Sequence, residues 1–140
     1  MANSAKRTHT PMMSAKRAAQ IGAWHEDAIS RGTRGEVQLE YLGLELIVPS
    51  TVFAPTPTSP MLGNAVLKEV RVSDRVLDMG TGSGVNAILA SSKSKDVIGV
   101  DVNPDAIECA KENAKRNGVE NKVQFLVSDV FDNVTGAFGA

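Results

Sequence analysis

The densest chemistry in this chain sits in one run, Asp78-Met79-Gly80-Thr81-Gly82-Ser83-Gly84. Glycines at alternate positions let a backbone turn sharply with positive φ, and let a ligand lie against main chain where a Cβ would collide. The run leaves a predicted strand, Arg75 to Met79, and enters a predicted helix that starts at Val85. A helix start offers unpaired N–H groups carrying partial positive charge. A dinucleotide fingerprint that begins at Gly80 needs its third glycine where Val85 stands, and Gly84 comes one place early. Asp78 argues the same way. A carboxylate ~4–6 Å from a diphosphate costs about 3 kcal/mol per charge pair at an effective dielectric of ~20. A ligand with a cationic portion is helped instead.

Asp101 follows Gly80 by 21 residues and ends the predicted strand Asp96 to Val100. A carboxylate there can accept hydrogen bonds from both hydroxyls of a ribose, or it can serve only the backbone of the turn Asp101-Val102-Asn103-Pro104. Val102 offers an apolar face to an adenine. Asp129, just past a third predicted strand, stands where it can accept from the adenine amino group, although aspartate is also an ordinary turn residue. S-adenosylmethionine fits this set: it carries a nucleoside, a sulfonium, an ammonium and one carboxylate, and no phosphate. The candidate cofactor residues are therefore Asp78, Gly80, Thr81, Gly82, Gly84, Asp101, Val102 and Asp129. Two other readings stay open, an NAD(P)-dependent oxidoreductase and a non-catalytic nucleoside-binding module. No metal centre is expected: His9 and His25 lie far apart, and the one cysteine, Cys109, reads as a buried structural thiol.

The elements that must hold these residues alternate strand and helix from Arg75 onwards. Val85, Ile88 and Leu89 are the inward residues of the first crossover helix, which runs to about Ser92. Asn103 caps the second, Pro104 begins it, and Gly118 ends it in the left-handed conformation. Lys122 to Val127 is the third strand. Strands alternating with single helices predict a parallel sheet. Upstream, Val37, Leu39 and Tyr41 alternate with polar residues, and Leu44, Leu46 and Val48 return after Gly43, which predicts a hairpin with one apolar face. Four prolines between Pro49 and Pro60 predict an extended loop whose Phe53 needs burial, either at the junction between hairpin and sheet or in an acceptor pocket. Ser59 reads as an N-cap with Pro60 first in the helix, and Met61, Leu62, Ala65, Val66 and Val70 as its apolar face. Ala18, Ile21, Trp24 and Ala28 share one face of an N-terminal helix. The expected parts are a basic arm and helix (1–35), a hairpin and proline-rich loop (36–60), and an α/β half-domain (61–140).

Composition excludes several classes. With 42% hydrophobic and 22% charged residues, the chain is neither disordered nor a disulfide scaffold. No apolar run approaches the ~20 residues of a membrane span, and even Leu44 to Val48 is broken by Glu45. A single cysteine fits a reducing compartment, and a cytoplasmic location is expected. The net charge of −1 hides an asymmetry, because residues 1–35 carry six basic and two acidic groups. Such an arm is a solvated terminus or a contact for a polyanion such as nucleic acid.

Three stretches, VLDMGTGSGVNAILA, GVDVNPDAIECAKENAKRNG and VQFLVSDVFD, resemble the first half of a class I S-adenosylmethionine-dependent methyltransferase over about residues 72–132. The proline loop Val52 to Ser59 is similar to the segment before the cofactor domain in HemK-type glutamine methyltransferases and relatives that methylate RNA or DNA bases. The resemblance implies an α/β, Rossmann-like sheet holding strands 3-2-1 of that fold, truncated before strand 4 and preceded by a helix and a hairpin. It implies N-methylation of a planar amide or base-amino nitrogen of protein, RNA or DNA. The family's Asn/Asp-Pro-Pro-aromatic acceptor motif is absent from this sequence, so no catalytic residue is assigned. Thr56 and Thr58 stand where the Arg and Glu of the family's Pro-Arg-Pro-Glu-Thr loop would be. Strand 75–79, central in that fold, is expected to become an apolar edge open to a partner strand or to self-association.

Overall fold

The described part of the protein opens with a hairpin closed by a two-residue turn. In this computed structural model the described residues are Lys16, Ala19, Gln20 and Ala23, all helical, and 35–138. The predicted N-terminal face of Ala18, Ile21, Trp24 and Ala28 lies outside them, as does most of the basic arm. The chain divides into two compact units between Arg34 and Gly35. In the second unit, β1 (Val37–Tyr41) pairs antiparallel with β2 (Leu44–Val48), Tyr41 opposite Leu44. Leu42 and Gly43 both have positive φ, 47° and 82°, the turn whose twist matches paired strands. Tyr41, Leu46 and Val48 are buried, so the alternation predicts the buried face correctly.

The helix α1 (Ser59–Glu69) departs from its predicted face. Met61 and Leu62 are 78% and 58% exposed and Ala65 is exposed too, while Gly63, Val66, Leu67 and Val70 turn inward. Gly63 causes this rotation. A Cβ there would stand 2.7 Å from Leu42 Cδ1, 2.9 Å from the Tyr41 hydroxyl and 3.0 Å from Leu89 Cδ1. The packed stripe at 63, 66, 67 and 70 has ordinary helical spacing, and its first member has no side chain to announce it. The predicted cap also shifts. Thr58 is the N-cap without a side-chain capping bond, its hydroxyl instead 3.1 Å from that of Thr56, and Ser59 Oγ accepts from Thr56 N at 2.8 Å. Phe53 is 66% exposed, and its neighbour Val52, 8% exposed, fills the hairpin's apolar cluster.

Beyond α1 the chain runs β3 (Arg75–Met79), α2 (Val85–Ala90), β4 (Asp96–Asp101), α3 (Pro104–Arg116) and β5 (Val123–Val127). The strands form a parallel sheet in the order β3-β4-β5, with Val76 beside Val97 and Val97 beside Val123. The helix α2 stops at Ala90, before the predicted Ser92, because the Ser91 and Ser92 hydroxyls turn back onto the carbonyls of Ile88 and Leu89. At the far end of α3, Gly118 is left-handed at φ 71°. Ala87, Ile88, Val97, Ile107, Ala110 and Phe125 belong to the core between sheet and helices. Among the described residues β3 pairs with β4 alone, so one of its edges is open.

The outer edge of β2 is not open. In the hairpin register the backbone groups of Glu45 and Ile47 point away from β1. Three side chains of α3 meet them. Asn117 accepts from Glu45 N at 3.0 Å and donates to Glu45 O at 2.8 Å. Asn113 accepts from Ile47 N at 2.9 Å, and Cys109 Sγ donates to Ile47 O at 3.4 Å. Four residues of helix advance about 6 Å and two residues of strand about 6.8 Å, so Asn113 and the C-cap Asn117, four apart, reach Ile47 and Glu45, two apart, while Cys109 takes the remaining Ile47 carbonyl. One helix thus replaces a third strand.

Burial, the largest influence, pushes the Cys109 thiol up to about 11, despite the opposing Arg116 charge and the Asn113 hydrogen bond; Glu36 adds to the rise. A raised thiol stabilises the fold below its ordinary value of 9.0, and that contribution is lost as pH climbs through about 11. At pH 8 the native chain should therefore react slowly with iodoacetamide and at the rate of a free thiol in urea, read by mass spectrometry. Rapid labelling of the native chain would show that Cys109 does not hold the Ile47 carbonyl.

Candidate cofactor site

The ends of three neighbouring parallel strands converge on the glycine run. Leaving β3, the chain crosses the end of β4, where Gly80 N and Thr81 N both donate to Val100 O at 2.9 and 2.8 Å. Gly80, Gly82 and Gly84 have φ of 73°, 54° and 84°, as the alternate glycines predict. Their surroundings differ. A Cβ on Gly80 would meet nothing within 4 Å, and one on Gly82 only the Phe53 carbonyl at 4.0 Å. One on Gly84 would lie 2.8 Å from Ala110 Cβ and 3.0 Å from its Cα. Gly80 and Gly82 face open space, whereas Gly84 seats α2 against α3.

Asp78 acts from beneath this turn. Its Oδ2 accepts from Thr81 Oγ1 at 2.7 Å and from Ala87 N at 3.1 Å. Gly84 is the N-cap of α2, so Ala87 N is one of the unpaired donors of that helix start. The carboxylate already fills the place an anion would take there. The sequence argument against a diphosphate survives on different ground: Asp78 does not only repel such a ligand, it removes a donor the ligand would use. Thr81, 5% exposed, spends its hydroxyl on Asp78 and shapes the turn from inside. Burial, above all, raises the Asp78 pKa, and the nearby Asp101 charge adds to the rise; the bonds from Thr81 and Ala87 pull the other way.

Asp101 ends β4 half-buried, Oδ2 accepting from Gly82 N and Oδ1 from Asn103 N, both at 3.0 Å. The structure bears out the backbone reading of this residue. It organises the turn, and each oxygen keeps a second lone pair for a ligand hydroxyl. Val102 stands beside it, 63% exposed. Ser128 N donates to Asp101 O at 2.9 Å, which brings the exposed Asp129 carboxylate to the same strand ends. The structure therefore places Gly80, Gly82, Asp101, Val102 and Asp129 at the neighbouring ends of β3, β4 and β5. Asp78, Thr81 and Gly84 lie behind them as support.

Three supporting residues escape the sequence reading. Gly99 makes room for the Thr81 hydroxyl, since a Cβ would stand 2.8 Å from Thr81 Oγ1 and 2.7 Å from the Phe125 ring. Its signal is a glycine inside a strand pattern. Asn103 is the predicted cap, accepting from Asp105 N, but it also ties the proline loop down by donating to Thr51 O at 3.0 Å. Asn113, fully buried, donates to Ser83 O at 3.0 Å. Among the described residues no cluster of His, Cys, Asp or Glu could hold a metal, and no helix is long and apolar enough to cross a membrane.

Residues 71–137 match a family described as a methyltransferase domain. A release factor glutamine methyltransferase of Agrobacterium fabrum is 32% identical over 107 residues, which cover 71% of this chain and 37% of that protein. A structure of Trm5 from Methanocaldococcus jannaschii in complex with adenosine aligns at 31% identity and a TM-score of 0.63, over 69% of this chain and 31% of that one. The tRNA m1G37 methyltransferase of the same organism gives 30% identity and a TM-score of 0.64, over 71% and 32%. Over residues 71–137 the chain carries a methyltransferase domain of the class I S-adenosylmethionine-dependent type, similar to the HemK-like glutamine methyltransferases and to Trm5. It spans a third to a half of the length of the curated relatives it matches first. S-adenosylmethionine is the family's cofactor. The residues present fit its nucleoside end: an open glycine turn, a carboxylate with spare acceptors, an apolar wall and a second carboxylate.

Two outcomes test this geometry. Gly84→Ala combines a left-handed backbone with overpacking and should destabilise the fold by about 2–4 kcal/mol, whereas Gly80→Ala should cost only the backbone part, about 1–2 kcal/mol, in urea unfolding. Because the Asp78 pKa is raised above 3.8, its contribution to stability is full below that pH and is lost as pH rises through the folded value. Asp78→Asn keeps an acceptor oxygen without the charge. Its stability relative to the parent should therefore improve between pH 3.5 and pH 7, reported by urea midpoints at the two pH values; no change with pH would place the carboxylate in water.

Proposed function

We propose that this chain supplies the nucleoside-binding half of an enzyme that transfers a methyl group from S-adenosylmethionine to a planar amide or base-amino nitrogen of protein or nucleic acid. The observation that carries this reading is Asp101. Its two oxygens are held by Gly82 N and Asn103 N at the strand ends that also carry the bare turn at Gly80 and the exposed Val102. Asp101 accepts from the ribose hydroxyls, Val102 covers one adenine face, and Asp129 accepts from the adenine amino group. Gly80 and Gly82 leave main chain for the ligand to lie against, and Asp78 keeps the helix start closed to phosphate. The cofactor supplies an activated methyl on a sulfonium, while this chain's residues bind and orient its nucleoside. The relatives' names support a nitrogen acceptor, since one group methylates glutamine in release factors and another a guanine of tRNA.

The same reading gives β3 a central place in a larger sheet, with β5-β4-β3 as strands 3-2-1 of the family order. The chain after β5 returns to the start of β3, where Arg75 donates to Thr135 O at 2.9 Å and stacks on the Phe138 ring at 4.7 Å. A following or partner strand set down there would pair along the open edge of β3.

Isothermal titration separates this reading from a nicotinamide enzyme: S-adenosylhomocysteine should bind and NADH should not. Asp101→Ala should weaken the binding by about 1.5–3 kcal/mol, the range for hydrogen bonds to a charged group. Affinity unchanged by that substitution would take Asp101 out of the site.

A further inference from the structure

Asn113 is the residue whose surroundings the cofactor reading leaves unused. It is 0% exposed, in the last turn of α3, and every polar atom of its side chain is engaged. Oδ1 accepts from Ile47 N at 2.9 Å and from Arg116 Nη1 at 2.8 Å. Nδ2 donates to Ser83 O at 3.0 Å and lies 3.5 Å from Cys109 Sγ. One amide thus joins the edge of the hairpin to the backbone of the glycine turn, 66 residues away on one side and 30 on the other. Ser83 lies between Gly82, whose N–H holds Asp101, and Gly84, which seats α2. The Ser83 carbonyl shares its peptide plane with Gly84 N–H, which donates to Thr81 O at 2.8 Å, and the Thr81 carbonyl shares its plane with Gly82 N–H, so a carbonyl fixed at Ser83 orients Gly82 N–H through that bond.

We infer that Asn113 is a positioning residue through which docking of the hairpin on α3 and nucleoside binding at the glycine turn are coupled. This rests on the reading of the turn as the nucleoside site. The neighbouring contacts isolate the effect. Asn117 holds the same strand edge and meets Asn113 only at its backbone carbonyl, at 2.8 Å, so loosening it disturbs the hairpin and leaves the Asn113 side chain in place. A fully buried amide is also costly unless all its bonds are made, so the native arrangement requires hairpin and turn to be in place together. Coupling of this kind is reciprocal: what the hairpin does for the ligand, the ligand does for the hairpin.

Asn113→Asp is nearly isosteric and keeps an acceptor for Ile47 N and Arg116, but replaces the donor to Ser83 O and Cys109 Sγ with a carboxylate oxygen. In the full chain it should speed ligand-free amide exchange at Gly82 to Val85, and weaken S-adenosylhomocysteine binding about tenfold. Asn117→Ala should leave that affinity within about twofold while exchange at Glu45 rises. In the unsubstituted protein, S-adenosylhomocysteine should slow exchange at Ile47 more than at Glu45, a readout that stands even where a variant fails to fold. Equal affinities for Asn113→Asp and its parent, both folded, overturn the inference, as does equal protection at the two hairpin amides. If the parent binds no S-adenosylhomocysteine, the nucleoside reading falls, and ligand-free exchange at the turn still decides whether Asn113 holds Ser83.

Discussion

A carboxylate with no full access to water holds the turn on which this site depends. Asp78 closes the start of α2 and pins Thr81, and the strand ends, the left-handed glycines and the small residues beneath them are arranged around that fact. A charged group in such a place costs free energy, which its raised pKa records. The cost is offset by two hydrogen bonds to the charge and by the closed turn that exposes Gly80 and Gly82 to a ligand. The demands then spread outward. Thr81 can reach Asp78 only because position 99 is glycine, and α2 can lie where Ala87 meets Asp78 only because position 84 is glycine.

The hairpin answers a different constraint. A two-stranded sheet is marginal alone and leaves two rows of unpaired backbone groups. Here α3 covers one of those rows with side chains that match the strand's own spacing, so the hairpin is held by hydrogen bonds as well as by its buried face. The same helix packs on β5 and ends its path at the left-handed Gly118, which makes it the element shared by both halves of the described fold.

Strand and helix positions are largely legible in the sequence because each rests on a local signal: the alternation of 37–41 and 44–48, the Asn103-Pro104 start, the glycine run. What is not legible rests on packing partners distant in the chain. The face of α1 is read from its apolar side chains, but the helix turns on Gly63, whose importance lies in Tyr41, Leu42 and Leu89. The loop's large apolar residue, Phe53, looks like the one to bury, yet the smaller Val52 fills the junction. The asparagines of α3 sit among lysines and an arginine that suggest a solvated face. Their spacing of four from Cys109, on the side carrying Ala106, Ala110 and Ala114, is the pattern that separates them from it. Among the site residues, types and positions are legible while the division of labour is not. Asp78, Thr81 and Gly84 carry the same sequence signal as Gly80 and Asp101, but burial assigns them to support.

That division has a consequence for how such a protein discriminates among ligands. Every residue proposed to face the nucleoside lies at the end of β3, β4 or β5, each held by hydrogen bonds within this chain. In that proposal, recognition of the nucleoside is a local property of these three strand ends, and choice of a methyl acceptor falls to other surfaces. The hairpin is the exception. It is bound through Asn113 to the Ser83 carbonyl, whose peptide plane carries the Gly84 N–H that donates to Thr81 O, so in the inferred coupling changes in its docking reach the plane that presents Gly82 N to Asp101. An element this remote in sequence can tune the nucleoside site without touching the nucleoside, because a buried amide tolerates few arrangements in which all its bonds are made.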